Sequence, residues 1–354
     1  MYFSDFSPDA KIIPSKGIQT VREGEAMPNN KITKSLEELV GNTPLFEPVK
    51  YEQKNNLEAS ILVKLEWFNA SGSIKARAAL NMLLEAEKEG KIKPGDTIVE
   101  ATSGNTGIAL ATFAAARGYK FKAFLENGSS QERFDILKAY GAEPALQSDI
   151  PSIKALMDKD ELSIDGIIEG VKNYSDEHGY FFINQMQNEH NPEAHYRTTG
   201  PEIWEQTDGK VDIYVAMVGT GGTLLGTSKY LKEKNPNLKI VGVQADEASR
   251  IGANSGQDAI DGVAPFSNVP ERFTTPFMLE STDKYDEVIE VSSVTASKTA
   301  KELLATDGLF LGSSAAGAFT AAKEIALRPE NKGKNIIVIA PDDGTKYMSL
   351  NLYK

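Results

Sequence analysis

The sequence contains no cysteine, which excludes disulfides, thiolate metal sites and a catalytic thiol. Histidine is scarce: His178, His190 and His195 are the only three. A zinc or haem centre is poorly supplied, and no metal site is expected. There is no basic excess either. A formal net charge of −12 leaves nothing to neutralise nucleic-acid phosphates and disfavours anionic membrane surfaces. No apolar run approaches the roughly 18 residues of a transmembrane helix. The start, "MYFSDFSPDAK", has neither the basic opening nor the apolar core of a secretory signal. A cytoplasmic soluble enzyme is therefore expected, and 354 residues suffice for two domains with separate cores.

What is present is an alternation of strand-like and helix-like runs. Residues 1–30 are polar, with Pro8, Pro14 and Pro28 and no sustained periodicity, and read as an extension. Beyond them "ASILVKLEW", "DTIVEA" and "YKFKAFL" read as strands separated by helical stretches. A second series runs from "VDIYVAMV" through "LKIVGVQA" and "DEVIEV" to "NIIVIAP". This is the pattern of a parallel α/β architecture. An irregular middle over 150–185 separates the series, so two lobes with a cleft between them are expected.

Three stretches carry chemistry. In "KLEWFNASGSIKARAAL", Lys75 follows a Gly-Ser turn, is expected two residues after a Ser73 N-cap, and precedes Arg77 by two. Crowded positive charge at a helix start favours a neutral, nucleophilic amine of the kind that condenses with carbonyl cofactors. In "EATSGNTGIALA", Thr102, Ser103, Asn105 and Thr106 offer hydroxyls, an amide and backbone N–H groups at a helix start, suited to a carboxylate or phenolate oxygen. In "VGTGGTLLG", Gly219, Gly221 and Gly222 allow close backbone approach and Thr220 and Thr223 add hydroxyls, which suits a phosphate. A dinucleotide fingerprint fails on spacing, because Leu224 stands where its third glycine belongs, although Asp246 lies near the ribose-contact distance.

Together with "SLEELVGNTPL", "INQMQNEHNPEAHYRTTGPEIWE", "DGLFLGSSAAGA" and "IAPDDGTKYMSL", these motifs resemble the cysteine synthase and cystathionine β-synthase family of pyridoxal-phosphate enzymes. The resemblance implies a fold of type II, like the tryptophan synthase β chain: two lobes, each a mostly parallel twisted sheet flanked by helices. It divides the chain into the extension 1–30, a smaller lobe over 46–170, and a larger lobe over 31–45 and 171–354. The cofactor implied is pyridoxal 5′-phosphate, in Schiff-base linkage to Lys75, which also serves as general base. Asn105 would hold the ring hydroxyl oxygen, Gly219, Thr220, Gly221, Gly222 and Thr223 the phosphate, and Ser314 the pyridine nitrogen. Thr102, Ser103, Thr106 and Gln185 would hold the substrate carboxylate. A serine at the ring nitrogen makes a weaker electron sink than a carboxylate and favours loss of a β-substituent.

The resemblance implies β-replacement on an activated serine or cysteine through an aminoacrylate, with sulfide or a thiol adding, and a homodimer. The alternative is a sulfide-releasing cysteine lyase, by elimination or by water addition giving serine, with Asp246 or another cleft carboxylate activating water. A third reading, a weakly catalytic cofactor-binding regulator, conflicts with Lys75 and the carboxylate loop. Departures from the family pattern are Ala70, Ser71, Ala76, Ala101, the "DGVAPF" segment (Asp261 to Phe266) and Asp343. The last two lie where substrate and ring environment are usually set.

Overall fold

The computed structural model describes residues 32–102, 104–129, 131–250 and 259–354. The expected extension over 1–30 and Ser103 lie outside the described residues.

Ten strands occur among those residues: β1 (Leu45–Phe46), β2 (Ser60–Leu65), β3 (Thr97–Ala101), β4 (Lys120–Leu125), β5 (Glu143–Leu146), β6 (Phe181–Phe182), β7 (Ile213–Met217), β8 (Lys239–Ala245), β9 (Glu287–Val291) and β10 (Asn335–Ala340). They form two sheets, a six-stranded one in the order β1-β2-β10-β7-β8-β9 and a four-stranded one in the order β5-β4-β3-β6. Only β1 runs antiparallel to its neighbour. Parallel strands are covered on both faces and read as continuous apolar runs. Accordingly all five residues of β7 are buried, as are the last five of β10. One face of the larger sheet packs Ile61, Val215 and Phe319 with Tyr51; the other packs Tyr214, Leu231 and Ile337. The smaller sheet has its own core around Ile98, Leu110 and Phe121. No helix among the described residues is long and apolar enough to cross a membrane.

Two expected boundaries shift. β2, placed by the sequence in the smaller lobe, pairs with β10 of the larger sheet, whereas β6 pairs with β3 of the smaller one. A strand's own residues fix its burial on both faces but not which sheet it joins. The middle is also far from irregular: it holds helices Pro151–Asp158 and Ile164–His178. Ser163 caps the second, accepting from Gly166 N at 3.0 Å, and Gly179 ends it at φ +66°. Gly166 and Gly170 lower its intrinsic propensity. They are there because the two helices cross closely, and a Cβ on Gly170 would overlap Ile153.

Candidate active site

Ligand sites in open parallel sheets lie beyond the carboxyl ends of the strands. That edge carries a cavity of about 500 Å³, walled by Lys75, the segment after β3, the loop after β7, Ser314 and the segment after β10.

Lys75 opens the helix Lys75–Lys88 and stands half-buried on the cavity wall. The expected cap is absent. Ile74 occupies the N-cap position without a side-chain hydrogen bond, and the buried Ser73 hydroxyl has no partner. The expected cause of a neutral amine also changes. Burial pushes Lys75 down to about 8, against the opposing pull of Glu100; Arg77 does not contribute. Arg77 turns into the protein, where Nε and Nη2 donate to Glu66 at 2.7 and 2.9 Å, and Nη1 and Nη2 donate to Glu202 at 2.6 and 2.7 Å. Lys64 Nζ reaches the same Glu202 at 2.8 Å. Burial opposes the charge on Glu202, but Arg77 and Lys64 hold its carboxyl down at about 2. Removing one partner from a buried network of this kind costs about 3–5 kcal/mol, so the network anchors the helix that carries Lys75.

The loop after β3 leads into the helix Asn105–Arg117. Thr106 Oγ1 donates to Gln185 Oε1 at 2.7 Å, and Gln185 Nε2 to Ala101 O at 3.3 Å. Thr102, Thr106 and Gln185 thus line one cavity together. Beneath them lies Glu100, fully buried, accepting from Ala101 N at 3.0 Å and Gln185 N at 3.0 Å. Burial pushes its carboxyl up to about 8, past the opposing effects of those N–H groups and of Lys75. Asn184 holds a left-handed φ of +56°, a conformation asparagine tolerates, immediately before the Gln185 N–H.

The loop after β7 opens the helix Gly222–Lys234, with Gly221 at φ +96°. A Cβ on Gly219 would stand 2.8 Å from Gly262 O, and one on Gly222 would overlap the Asn191 amide. Gly219, Thr220, Gly221 and Thr223 line the cavity, and Gly222 packs behind them. Sequence reasoning missed the support under this loop. Asn191 Nδ2 donates to Gln185 O at 2.8 Å and Thr220 Oγ1 at 3.1 Å, linking the two loops. His195, reached where the helix passes into a π turn over His195–Thr199, puts Nε2 3.2 Å from Thr223 Oγ1. Burial, with Arg77 adding, pushes that imidazole down to about 3, so it is neutral near pH 7. Both residues belong to "NQMQNEHNPEAH", a stretch whose histidines read from sequence only as poor material for a metal site.

Asn105 Nδ2 donates to Asp342 Oδ2 at 2.7 Å, and its Oδ1 accepts from Lys346 Nζ at 3.0 Å. Asp342 also accepts from Tyr347 OH at 2.7 Å, and burial pushes it up to about 6. Asp343, one of the departures, turns away to cap Gly344–Tyr347, accepting from Thr345 N at 3.0 Å. Asp246 is a correction. It caps the turn Glu247–Ser249 beyond β8, accepting from Ser249 N at 3.0 Å, and is not on the cavity wall.

These residues fit pyridoxal phosphate on their own geometry. A glycine cradle that excludes side chains opens a 13-residue helix, the arrangement that takes a phosphate. A lysine with a depressed pKa stands on the same wall, and Ser314 and Asn105 line the space with it.

Comparison with known proteins agrees. Residues 36–342 match the family model described as "Pyridoxal-phosphate dependent enzyme". A cysteine synthase of Staphylococcus aureus is 39% identical over 90% of this chain and 96% of its own. The solved cysteine synthase of Entamoeba histolytica superposes with a TM-score of 0.78 at 36% identity, covering 93% of each chain. A hydrogen sulfide-producing enzyme of Fusobacterium nucleatum gives 0.74 at 33% identity, over 90% of this chain and all of that one (100%). The chain is thus a pyridoxal-phosphate dependent enzyme and belongs to the cysteine synthase family.

Proposed function

We propose that this enzyme replaces the β-substituent of an activated serine or cysteine with sulfide or a thiol, giving a sulfur-containing amino acid. The observation that carries the reading is the convergence of Lys75, the clamp at Thr102, Thr106 and Gln185, and the cradle at Gly219–Thr223 on one cavity.

When bound, pyridoxal phosphate supplies an aldehyde for condensation with an amine and a ring that draws electrons from the substrate's Cα. The chain's residues do the rest. Backbone N–H groups of Gly219–Thr223 hold the phosphate, Asn105 the ring hydroxyl oxygen and Ser314 the pyridine nitrogen. Thr102, Ser103, Thr106 and Gln185 orient the substrate by its carboxylate. Lys75 Nζ, which sheds its proton far more readily than an exposed lysine, takes the Cα proton.

The lyase alternative is less well supported. Asp246 is off the site, and three of the acids near the cavity are engaged: Glu100 by two backbone N–H groups, Asp342 by Asn105 and Tyr347, and Asp261 by Arg133; Glu126 and Glu132 stand exposed at its rim. None of those three is free to serve as a base for water, whereas sulfide or a thiolate adds without one. A cytoplasmic homodimer completes the reading, and light scattering of the purified protein tests the dimer.

Borohydride reduction of the holoenzyme followed by peptide mapping should put the pyridoxyl group on Lys75. Product analysis with serine, O-acetylserine, O-phosphoserine and cysteine, each with and without sulfide, should yield a new β-substituted amino acid. Pyruvate and ammonia as the main products with sulfide present would establish the lyase instead.

A further inference from the structure

Arg133 and Asp261 form an ion pair across the cavity between the lobes. Arg133 belongs to the helix Gln131–Ala139 of the smaller lobe, and its guanidinium lies beside Gly104 of the carboxylate loop, 3.8 Å from where a Cβ would stand. Asp261 belongs to the departing segment "DGVAPF" of the larger lobe, and its N–H donates to Ser313 Oγ at 3.1 Å, next to Ser314. The pair therefore spans the space between the clamp and the proposed ring end.

The wall carries three cations, and each is committed. Lys75 is taken by the cofactor. Lys346 Nζ donates to Gly72 O at 2.7 Å and to Asn105. Arg133 is matched by Asp261. Glu126 and Glu132 add negative charge at the rim. A substrate's α-carboxylate can be held by the neutral donors of the clamp. A second negative charge, on the substrate's β-substituent, finds no uncommitted cation among the described residues and faces an acidic rim. In a low-dielectric cavity such an imbalance is felt strongly.

We infer that Asp261 is a specificity-determining residue: by neutralising Arg133 it restricts the enzyme to amino acids with an uncharged β-substituent and rejects those whose β-substituent is an anion such as a phosphate ester. This rests on the β-replacement reading above, because it concerns the leaving group.

The test compares holoenzyme with Asp261→Asn and with the double variant Asp261→Asn/Arg133→Gln. One readout is kcat/KM for O-acetylserine against O-phosphoserine with sulfide. A second, independent of turnover, is calorimetric binding of L-methionine against L-2-amino-3-phosphonopropanoate, neither of which carries a leaving group. The natural enzyme should favour the neutral partner at least tenfold in both. Asp261→Asn should narrow both ratios at least tenfold, more so at low ionic strength, and the double variant should restore discrimination. Asp261→Glu should keep the natural preference, and Asp261→Ser replaces Asp261→Asn should that variant misfold. Ratios unmoved by Asp261→Asn, a gain that survives loss of Arg133, or equal use of both substrates by the natural enzyme would overturn the inference. A binding preference that switches as stated, with no sulfur incorporated from either substrate, would overturn the reaction and leave this specificity standing.

Discussion

The two glycine-rich loops begin alike, each running from a parallel strand into a helix, but they rest on opposite kinds of support. The loop at Gly219–Thr223 sits on neutral groups: the Asn191 amide, Thr275 Oγ1 donating to Thr220 O at 3.0 Å, and an uncharged His195. The loop at Thr102–Thr106 sits on a buried acid, Glu100, which ties it to Gln185 from a different part of the chain. The first is a cradle shaped by what it excludes, since its glycines leave no room for side chains. The second is a clamp shaped by what it donates. One can be broken sterically without removing a polar atom, and the other polarly without changing its volume.

The largest effect should come from the cradle. Gly222→Ala puts a methyl into the Asn191 amide, which is itself buried and held by two hydrogen bonds. Overpacking of this kind costs about 1–3 kcal/mol, so cofactor affinity should fall up to roughly 100-fold in absorbance titrations of the apoenzyme. Thr106→Val keeps the volume of the clamp but removes the hydroxyl that donates to Gln185. At about 1 kcal/mol or somewhat more for a lost buried bond, KM for the amino acid should rise about tenfold, with cofactor affinity unchanged. A Thr106→Val variant that loses cofactor instead would mean the loops are not separable.

The two supports also titrate in opposite directions. Glu100 is raised above its unfolded value, to about 8. Its contribution to stability is whole below the unfolded carboxylate pKa and is lost as pH rises towards 8. His195 is lowered, to about 3; its contribution is whole above the unfolded imidazole pKa and is lost as pH falls towards 3. Thermal unfolding of Glu100→Gln should therefore show a flatter decline between pH 5 and 8, by about a few degrees. His195→Gln should flatten the acid side alone. If Glu100→Gln altered only the acid side, the assignment of the buried acid would be wrong.

How much of this was legible depended on distance along the chain. Lys75 and the two loops stood out in the sequence because each is a local pattern, a strand ending in a turn rich in glycine, serine or threonine at a helix start, whereas Ser314 was pointed to by the family resemblance alone. The strand-helix alternation likewise announced the fold, since buried parallel strands must be continuously apolar. What failed was whatever depends on two distant segments meeting. β2 joins the larger sheet because it fits between β1 and β10. Asp342 reaches Asn105, 237 residues away, and Arg133 meets Asp261, 128 residues away. The Ser73 cap failed for a different reason: a serine near a helix start is a statistical preference, and here Ile74 takes the capping place.

Asp246 sharpens the comparison with the smallest effect. The lyase alternative named it as a candidate for activating water, yet its side chain is spent on the turn after β8, where Oδ1 accepts from Ser249 N. If it only caps that turn, Asp246→Ala should cost about 1 kcal/mol of stability, the usual value of an N-cap, and nothing more. The partition between sulfur-containing product and pyruvate, measured with limiting sulfide, should stay within twofold of the natural enzyme. The choice of variant matters, because asparagine could keep the cap and so hide a structural role, whereas alanine removes both cap and charge. A loss of pyruvate formation in Asp246→Ala, out of proportion to the change in stability, would show that the carboxylate reaches the site in some turnover step. Equal loss of both products, tracking stability, is what a residue that merely closes a turn must give.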